Sequence, residues 1–232
     1  MSKNISIYHG SNKIISTPTF GAGNPRNDYG LGFYCTESIE LAKEWACTDD
    51  GGGYASQYEL ICDNLKVMNL SDDNYNILNW LALLLDNRTF RLSNDIAKEG
   101  TIFLIDEFLP DISTFDVIIG YRADDSYFSF ANAFLNNTLS LQQLGMAMYL
   151  GNLGEQVVLK TKKSFDNLKY VKSEYADGNI YFPKRDTRDY NARKSLKRER
   201  EKTRVIDSVY LIDILRGGWT NDDPRLQRNL SK

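Results

Sequence analysis

The sequence is short of the residues that bind metals and form disulfides. It holds one histidine, His9, and three scattered cysteines, Cys35, Cys47 and Cys62, with no Cys-x-x-Cys pair. A zinc site is therefore not expected, and the cysteines are typical of a reducing compartment rather than of a disulfide framework. A hydrolase that uses a Ser-His-Asp triad would have to use His9 itself.

Long hydrophobic segments are also missing. No apolar run approaches the roughly 18 residues that a membrane span requires. The first residues, Met-Ser-Lys-Asn-Ile-Ser, contain no hydrophobic signal region. We therefore expect a cytoplasmic protein with no membrane partner.

Charge is nearly balanced over the chain but not along it. The 28 Lys and Arg against 31 Asp and Glu give a net charge of −3, yet residues 184–204 hold ten basic residues against four acids. This pattern predicts an exposed basic helix, which is either simply solvated or contacts nucleic-acid phosphates or an acidic partner. We therefore expect a domain of residues 1–183 and a basic helical extension of residues 184–232 that packs on the same domain.

Within residues 1–183, short strands and amphipathic helices predict an α+β fold. The glycines and prolines of residues 16–30 predict a loop. Residues 163–170 are predicted as a short helix or turn, and residues 217–219 as the start of a frayed terminus. The predicted strands are 5–8, 32–36, 55–62, 65–70, 115–120 and 156–161, and the predicted helices are 38–47, 75–85, 102–109 and 139–150. Ser38 is the predicted N-cap of the first of these helices.

Two short motifs combine polar or aromatic side chains with glycines. In residues 8–11 (Tyr-His-Gly-Ser), a strand-end histidine can hydrogen-bond a hydroxyl, and the next glycine lets a ligand approach the backbone. In residues 28–34 (Asp-Tyr-Gly-Leu-Gly-Phe-Tyr), the glycines let a loop fold onto a ligand, and Tyr34 can lie flat against a ring. Each motif alone is better explained as a turn beside a strand, so their combination carries the functional argument.

Together with the following helix, these motifs resemble the NAD-binding half of the ADP-ribosyltransferase superfamily. The resemblance is to the His-Tyr-Glu branch, which includes diphtheria toxin and the poly(ADP-ribose) polymerases. It implies split, mostly antiparallel β-sheets with surrounding helices, and NAD⁺ as co-substrate in the cleft between the strands of His9 and Tyr34. No metal is implied.

The same resemblance assigns individual roles. His9 would hold a ribose, Gly10 would grip nicotinamide through its main chain with Ser11 beside it, and Tyr34 would stack on nicotinamide. Trp45 falls where many relatives place a second stacking aromatic. Ala42 stands where the polymerases have a serine, so one contact to the carboxamide would be lost.

Roughly residues 5–170 resemble a narrower group of small bacterial proteins that share an Arg-Ala-Asp-Asp segment, here residues 122–125, and a late strand with a glutamine. That strand supplies the third catalytic position, either Glu155 or Gln156. Strand neighbours point to opposite faces, so only one of them enters the site. We assign ligand contact to Gln156 and the chemistry to Glu155.

Three further residues are candidates for the rim of this site. If Gln156 faces inward, the chemistry depends on Asp124, Asp125 or the substrate itself. Arg26 could meet the NAD⁺ pyrophosphate, because a guanidinium matches a phosphate with two hydrogen bonds. The plainer alternative for each is a solvated loop residue or a helix cap.

The expected function is a bacterial ADP-ribosyltransferase that modifies a macromolecular acceptor, protein or nucleic acid. The family context suggests a toxin-like effector, with an antitoxin protein as a further partner. An NAD⁺ glycohydrolase would use the same site with water as the acceptor. A binding module that keeps the pocket without catalysis is the other alternative.

Overall fold

The computed structural model describes residues 4–123, 125–150, 154–202 and 208–226. The chain divides into two units, one built on strands and one built of helices. Each unit is assembled from separate stretches of the chain. The strand unit comprises Met1–Asn69, Asp111–Arg122 and Leu153–Arg188, and the helical unit comprises Leu70–Pro110, Ala123–Asn152 and Asp189–Lys232.

The helices and strands alternate irregularly along the sequence. In chain order they are β1 (Asn4–Ser11), β2 (Phe33–Cys35), α1 (Ile39–Ala46), β3 (Gly53–Ile61), β4 (Val67–Asn69), α2 (Ile77–Asn87), α3 (Asp95–Phe108), β5 (Val117–Tyr121), α4 (Asp125–Leu135), α5 (Leu141–Leu150), β6 (Glu155–Leu159), α6 (Lys162–Asp166), β7 (Leu168–Ala176), α7 (Gly178–Lys202) and α8 (Leu211–Gly217).

The strands form two small sheets in the strand unit. One sheet has the order β1-β3-β7 and is antiparallel throughout. The other has the order β2-β6-β5-β4, in which β4 and β5 are parallel and the remaining pairs are antiparallel. This confirms the prediction of a mixed α+β protein with two small, mostly antiparallel sheets.

The two sheets meet at β1 and β2 and share one apolar core. Tyr8 and Thr36 exchange two backbone hydrogen bonds, of 2.8 and 2.9 Å, across the join. Alternate residues of the strands point inward, as a half-buried sheet requires. The core side chains are each at most 1% exposed: Ile7, Tyr58 and Leu60 from the first sheet, and Cys35, Val117, Val157 and Leu159 from the second.

Helix α1 packs on β1 and also anchors the start of α7. Ser38 caps α1 as predicted, because its hydroxyl accepts from the Leu41 N–H. Glu44 on α1 is only 3% exposed, and Arg188 of α7 donates to both of its carboxylate oxygens, at 2.9 and 2.7 Å. Residues 184–202 of the basic segment are helical, as predicted, and those up to Arg188 belong to the strand unit.

The helical unit is built around α2, whose apolar residues are nearly all buried. Asn76 and Asn79 form a capping box at its start. Helix α3 packs on α2, and its Gly100 lies against Leu211 of α8. The prediction of a frayed terminus at residues 217–219 is wrong, because Trp219 is only 6% exposed and Arg225 lies 4.2 Å from its ring centroid.

Other differences from the sequence prediction are local. Residues 163–170 contain the end of α6 and the start of β7, and β7 was not predicted as a strand. Helix α3 begins at Asp95 rather than residue 102, and α4 was not predicted. Within the described ranges, no helix is both long and apolar enough to cross a membrane.

Candidate functional site

The strand unit brings His9 and Tyr34 together, although 25 residues separate them in the chain. His9 lies near the end of β1 and Tyr34 in the middle of β2. The Nδ1 atom of His9 is 2.7 Å from the backbone oxygen of Tyr34. The imidazole also stacks on Phe33, with 4.4 Å between ring centroids. Two neighbouring residues of β2 thus fix the histidine ring.

These contacts determine the protonation state of His9. A carbonyl oxygen can only accept, so Nδ1 carries the proton. Burial lowers the pKa of His9 below its usual value, and the hydrogen bond to Tyr34 opposes that shift only in part. The imidazole is therefore neutral at pH 7, and its Nε2 atom is a hydrogen-bond acceptor.

Tyr34 is fixed at both ends. Its backbone oxygen accepts from His9, while its hydroxyl donates to Gly30 O at 2.6 Å and accepts from the Tyr29 N–H at 3.1 Å. Gly30 has φ of 69°, a left-handed conformation that favours glycine. The glycine-rich loop thus closes on the hydroxyl of Tyr34 and fixes the plane of its ring.

A pocket of about 630 Å³ opens beside these residues, a volume within the usual range of small-molecule sites. The loop of residues 13–24 forms much of its wall, and the Tyr58 hydroxyl ties that loop to the sheet by donating to Ile15 O. The pocket lining consists of His9, Lys13, Ile14, Ile15, Ser16, Thr17, Pro18, Thr19, Phe20, Gly21, Ala22, Gly23, Asn24, Asn27, Leu31, Gly32, Phe33, Tyr34, Lys160 and Phe165.

Lys160 is a pocket residue that the sequence analysis did not select. It follows β6 directly, and its ammonium donates to the backbone oxygens of Tyr29 and Leu31, the latter at 2.6 Å. Burial lowers its pKa from the usual lysine value. Lys160 and Lys13 place positive charge in a pocket that is otherwise largely apolar. The only sequence signal for Lys160 was its position at the end of a buried strand.

Gly10 is required by packing, and its backbone faces the open edge of β1. A Cβ atom at this position would lie 2.0 Å from the backbone oxygen of Ala42 on α1. Tyr8 directs its backbone groups away from β3, toward Thr36. Because these groups alternate between the two edges of an antiparallel strand, the N–H and C=O of Gly10 point to the same outer edge as those of Tyr8.

The register of β6 separates the two candidates for the third position. Gln156 is 5% exposed and donates from Nε2 to the Asp28 carboxylate at 3.3 Å. Glu155 pairs with Tyr121 and shares its face of the sheet with Val157 and Leu159. Gln156 shares the other face with Val158, which pairs with Tyr34. Tyr34 and Gln156 therefore project from the same face.

Of the predicted site residues in the strand unit, only His9 and Tyr34 line the pocket; Gly10, Glu155 and Gln156 do not, nor do Ser11, Arg26 and Trp45. Ser11 donates its hydroxyl to Lys13 O in a local turn. Arg26 is exposed in the loop, between the lining residues Asn24 and Asn27. Trp45 on α1 carries the Arg122 guanidinium 4.5 Å from its ring centroid, so a cation already covers the ring that was predicted to stack on a ligand.

The Arg-Ala-Asp-Asp segment, residues 122–125, contains the two remaining predicted aspartates. Asp124 lies outside the described residues, and Asp125 begins α4 in the helical unit. Among the residues that the structure describes, no group of three or more His, Cys, Asp or Glu side chains is placed to hold a metal ion.

Comparison with models of known protein families gives a match that includes the candidate site. A family model with the description "Protein of unknown function (DUF3990)" matches residues 5–170, which span β1 to the first half of β7. No curated protein and no solved structure matches the chain. The matched range includes His9, Tyr34, Gln156 and Lys160.

Proposed function

The chain belongs to the DUF3990 family, and we propose that it is an ADP-ribosyltransferase that cleaves NAD⁺ and transfers ADP-ribose to a macromolecule. The observation that carries the proposal is the hydrogen bond of 2.7 Å between His9 Nδ1 and Tyr34 O, at the mouth of one pocket. Two motifs that are individually weak thereby become parts of one site. The proposed fold is the ADP-ribosyltransferase type, with its two sheets joined at β1 and β2.

The exposed edge of β1 suits the carboxamide of nicotinamide. Gly10 offers one N–H donor and one C=O acceptor along this edge, as the alternation set by the Tyr8–Thr36 pair requires. A carboxamide carries one acceptor oxygen and an NH₂ donor, so it can make both hydrogen bonds as a further strand would. In this role Gly10 holds the leaving group without any side-chain contact.

The neutral imidazole of His9 suits a ribose hydroxyl. With Nδ1–H given to Tyr34 O, Nε2 is left as the acceptor. A hydroxyl of the ribose next to nicotinamide could donate to Nε2, so that both nitrogens of the imidazole would be hydrogen-bonded. Burial keeps the ring neutral, so it adds no positive charge where an oxocarbenium ion develops.

The remaining parts of NAD⁺ match the other pocket walls. The ring of Tyr34, fixed through its hydroxyl by Tyr29 and Gly30, can stack on nicotinamide. Lys13 and Lys160 give the pocket a positive field for the diphosphate. Phe20 and Phe165 line an apolar part of the pocket that suits a purine base.

The proposed reaction breaks the bond between the ribose C1′ and the nicotinamide nitrogen. The electron pair of that bond leaves with nicotinamide, which becomes neutral, and the ribose passes through an oxocarbenium-like state. A nucleophile of the acceptor then bonds to C1′ and releases its proton to solvent. Transfer to water instead of a macromolecule would make the protein an NAD⁺ glycohydrolase.

The test separates the two hydrogen bonds of His9. In His9→Asn, the amide nitrogen can replace Nδ1 as a donor to Tyr34 O, but nothing replaces the Nε2 acceptor. We expect this variant to fold as the parent does. It should release nicotinamide at least about tenfold more slowly, because one hydrogen bond in the site is lost. A parental rate in His9→Asn, or no NAD⁺ cleavage by the parent, would overturn the proposal.

The acceptor is found in the same assay. Labelled NAD⁺ is incubated with a cell extract and the product is treated separately with protease and nuclease. Removal of the label by one of these treatments identifies protein or nucleic acid as the acceptor. Rapid nicotinamide release without any macromolecule and without retained label would instead support the glycohydrolase.

A further inference from the structure

Gln156 and Asp28 form a buried polar pair near Tyr34, and Asp28 was not selected as a site residue from the sequence. Asp28, at the start of the glycine-rich loop, is 4% exposed, and Gln156 on β6 is 5% exposed. The Gln156 Nε2 atom donates to the Asp28 carboxylate at 3.3 Å. A buried carboxylate is costly unless hydrogen bonds compensate it, so this contact is a feature that needs an explanation.

Asp28 fixes which way the Gln156 amide points. The Asp28 oxygen accepts this hydrogen bond, so the amide nitrogen, not the amide oxygen, faces Asp28. The Gln156 Oε1 atom is therefore held on the side away from Asp28. This oxygen is buried and has no hydrogen-bond partner among the described residues. A buried acceptor without a partner is rare and calls for an explanation, such as a catalytic role.

The position of this oxygen relates it to the proposed NAD⁺ site. Gln156 projects from the same sheet face as Tyr34, through the pairing of Tyr34 with Val158. Tyr29 and Gly30, the two residues after Asp28, hold the hydroxyl of Tyr34. The pair is therefore attached to the same loop that fixes the stacking aromatic.

We propose that Asp28 is a positioning residue, which orients and polarises Gln156 so that its Oε1 atom accepts a hydrogen bond from a ribose hydroxyl of NAD⁺. This inference rests on the function proposed above. Glutamine is neutral, whereas the reaction develops positive charge on the ribose. A carboxylate that accepts from Nε2 raises the electron density on Oε1, because hydrogen-bonded groups in series polarise one another. Asp28 thus supplies, through its hydrogen bond to Gln156, the negative charge that Gln156 lacks.

Exchanging the two functional groups tests this arrangement. Asp28→Ala removes the acceptor and frees the amide to rotate. Gln156→Glu alone sets two carboxylates about where the 3.3 Å contact now lies. In the double variant Asp28→Asn/Gln156→Glu, the asparagine donates to the new carboxylate, and the second carboxylate oxygen takes the position of Oε1.

We expect Asp28→Ala to lower kcat for nicotinamide release about tenfold, the effect of one misaligned hydrogen bond, with a smaller change in KM for NAD⁺. Gln156→Glu should lose a similar factor, and the double variant should regain the parental kcat or exceed it. If Asp28→Ala does not fold, the other two variants still make the comparison, since both keep a polar group at each position.

A purely structural pair predicts another result. The double variant would then recover the parental unfolding midpoint while its kcat stayed near that of Gln156→Glu, and this outcome would overturn the inference. Parental kcat in Asp28→Ala would do the same. Failure of the proposed function looks different, since the parent itself would not cleave NAD⁺. In that case calorimetric titration with NAD⁺ tests the role of Asp28 separately. Equal affinity for NAD⁺ in the parent and in Asp28→Ala would show that Asp28 does not position Gln156 for NAD⁺ binding.

Discussion

Replacing Tyr34 by Phe keeps its aromatic ring and removes the atom that closes the glycine-rich loop. The lost hydroxyl makes two hydrogen bonds, to Gly30 O at 2.6 Å and from the Tyr29 N–H at 3.1 Å. Tyr29 is only 1% exposed, so water cannot easily replace the tyrosine hydroxyl at its N–H. A net value of about 1 kcal/mol for each hydrogen bond gives a destabilisation of about 2 kcal/mol.

Hydrogen exchange at the Tyr29 amide measures this effect directly. Because about 1.4 kcal/mol corresponds to a factor of ten, the amide should exchange about 30-fold faster in Tyr34→Phe. The loop also supplies Asn27, Leu31 and Gly32 to the pocket, so we expect KM for NAD⁺ to rise more than kcat falls.

Tyr175→Phe is the matched control. The Tyr175 side chain is 61% exposed, and its ring contact with Tyr54 does not need the hydroxyl. This variant should therefore behave as the parent in both assays. Two results in Tyr34→Phe would together show that the Tyr34 hydroxyl does not hold the glycine-rich loop. One is exchange of the Tyr29 amide at the parental rate. The other is a change in unfolding free energy of less than about 0.5 kcal/mol, as for an ordinary surface substitution.

Three further predictions concern the surroundings of the site. First, NMR titration of the single imidazole should show Nδ1–H and a pKa for His9 below 6.5. Because the folded-state pKa is depressed, the contribution of His9 to the free energy of unfolding is full above the unfolded-state pKa and is lost as the pH falls through the folded-state pKa. A free energy of unfolding that does not change over this pH range, or a pKa above 6.5, would contradict this. Secondly, Gly10→Ala should destabilise by about 3 kcal/mol in urea unfolding, the upper end for overpacking, and Ala42→Gly should not rescue it because the clash is with backbone. Thirdly, Arg188→Met should lower the unfolding free energy by about 2 kcal/mol, less than for a fully buried ion pair because the Arg188 side chain is 27% exposed. Adding Glu44→Gln to Arg188→Met should restore part of this loss; if it restores none, the ion pair is not the cause.

The parts of the fold that the sequence predicted are those with strong local patterns. Ser38 before an apolar helical spacing predicted α1 and its cap, and the apolar run at residues 115–120 predicted β5. β7 lacked such a pattern, because it is an edge strand whose alternation of half-buried and exposed residues breaks at Val171, where its register with β3 shifts. Its strand conformation depends on pairing with β3, which no local pattern contains.

The candidate site divides in the same way. His9 and Tyr34 were selected because each stands in a short motif with glycine, and the structure brings them together. The choice between Glu155 and Gln156 could not be made, because it depends on the register of β6 with β2 and β5. Asp28 and Lys160 were not selected because their contacts are over 100 residues apart in the chain.

The late position of β6 has a consequence for protein synthesis. Strand β2 is at the edge of its sheet and pairs there with β6. The 119 residues from 36 to 154 lie between the end of β2 at Cys35 and the start of β6 at Glu155. A ribosome-bound chain that stops before β6 has no Gln156 or Lys160, and its β2 lacks the strand with which it pairs in its own sheet. The two motifs near the N-terminus are therefore synthesised long before β6, so that a nascent chain, or one truncated before β6, cannot complete the proposed NAD⁺ site. If the protein is toxic to the cell that makes it, activity would begin only after the strand unit is complete.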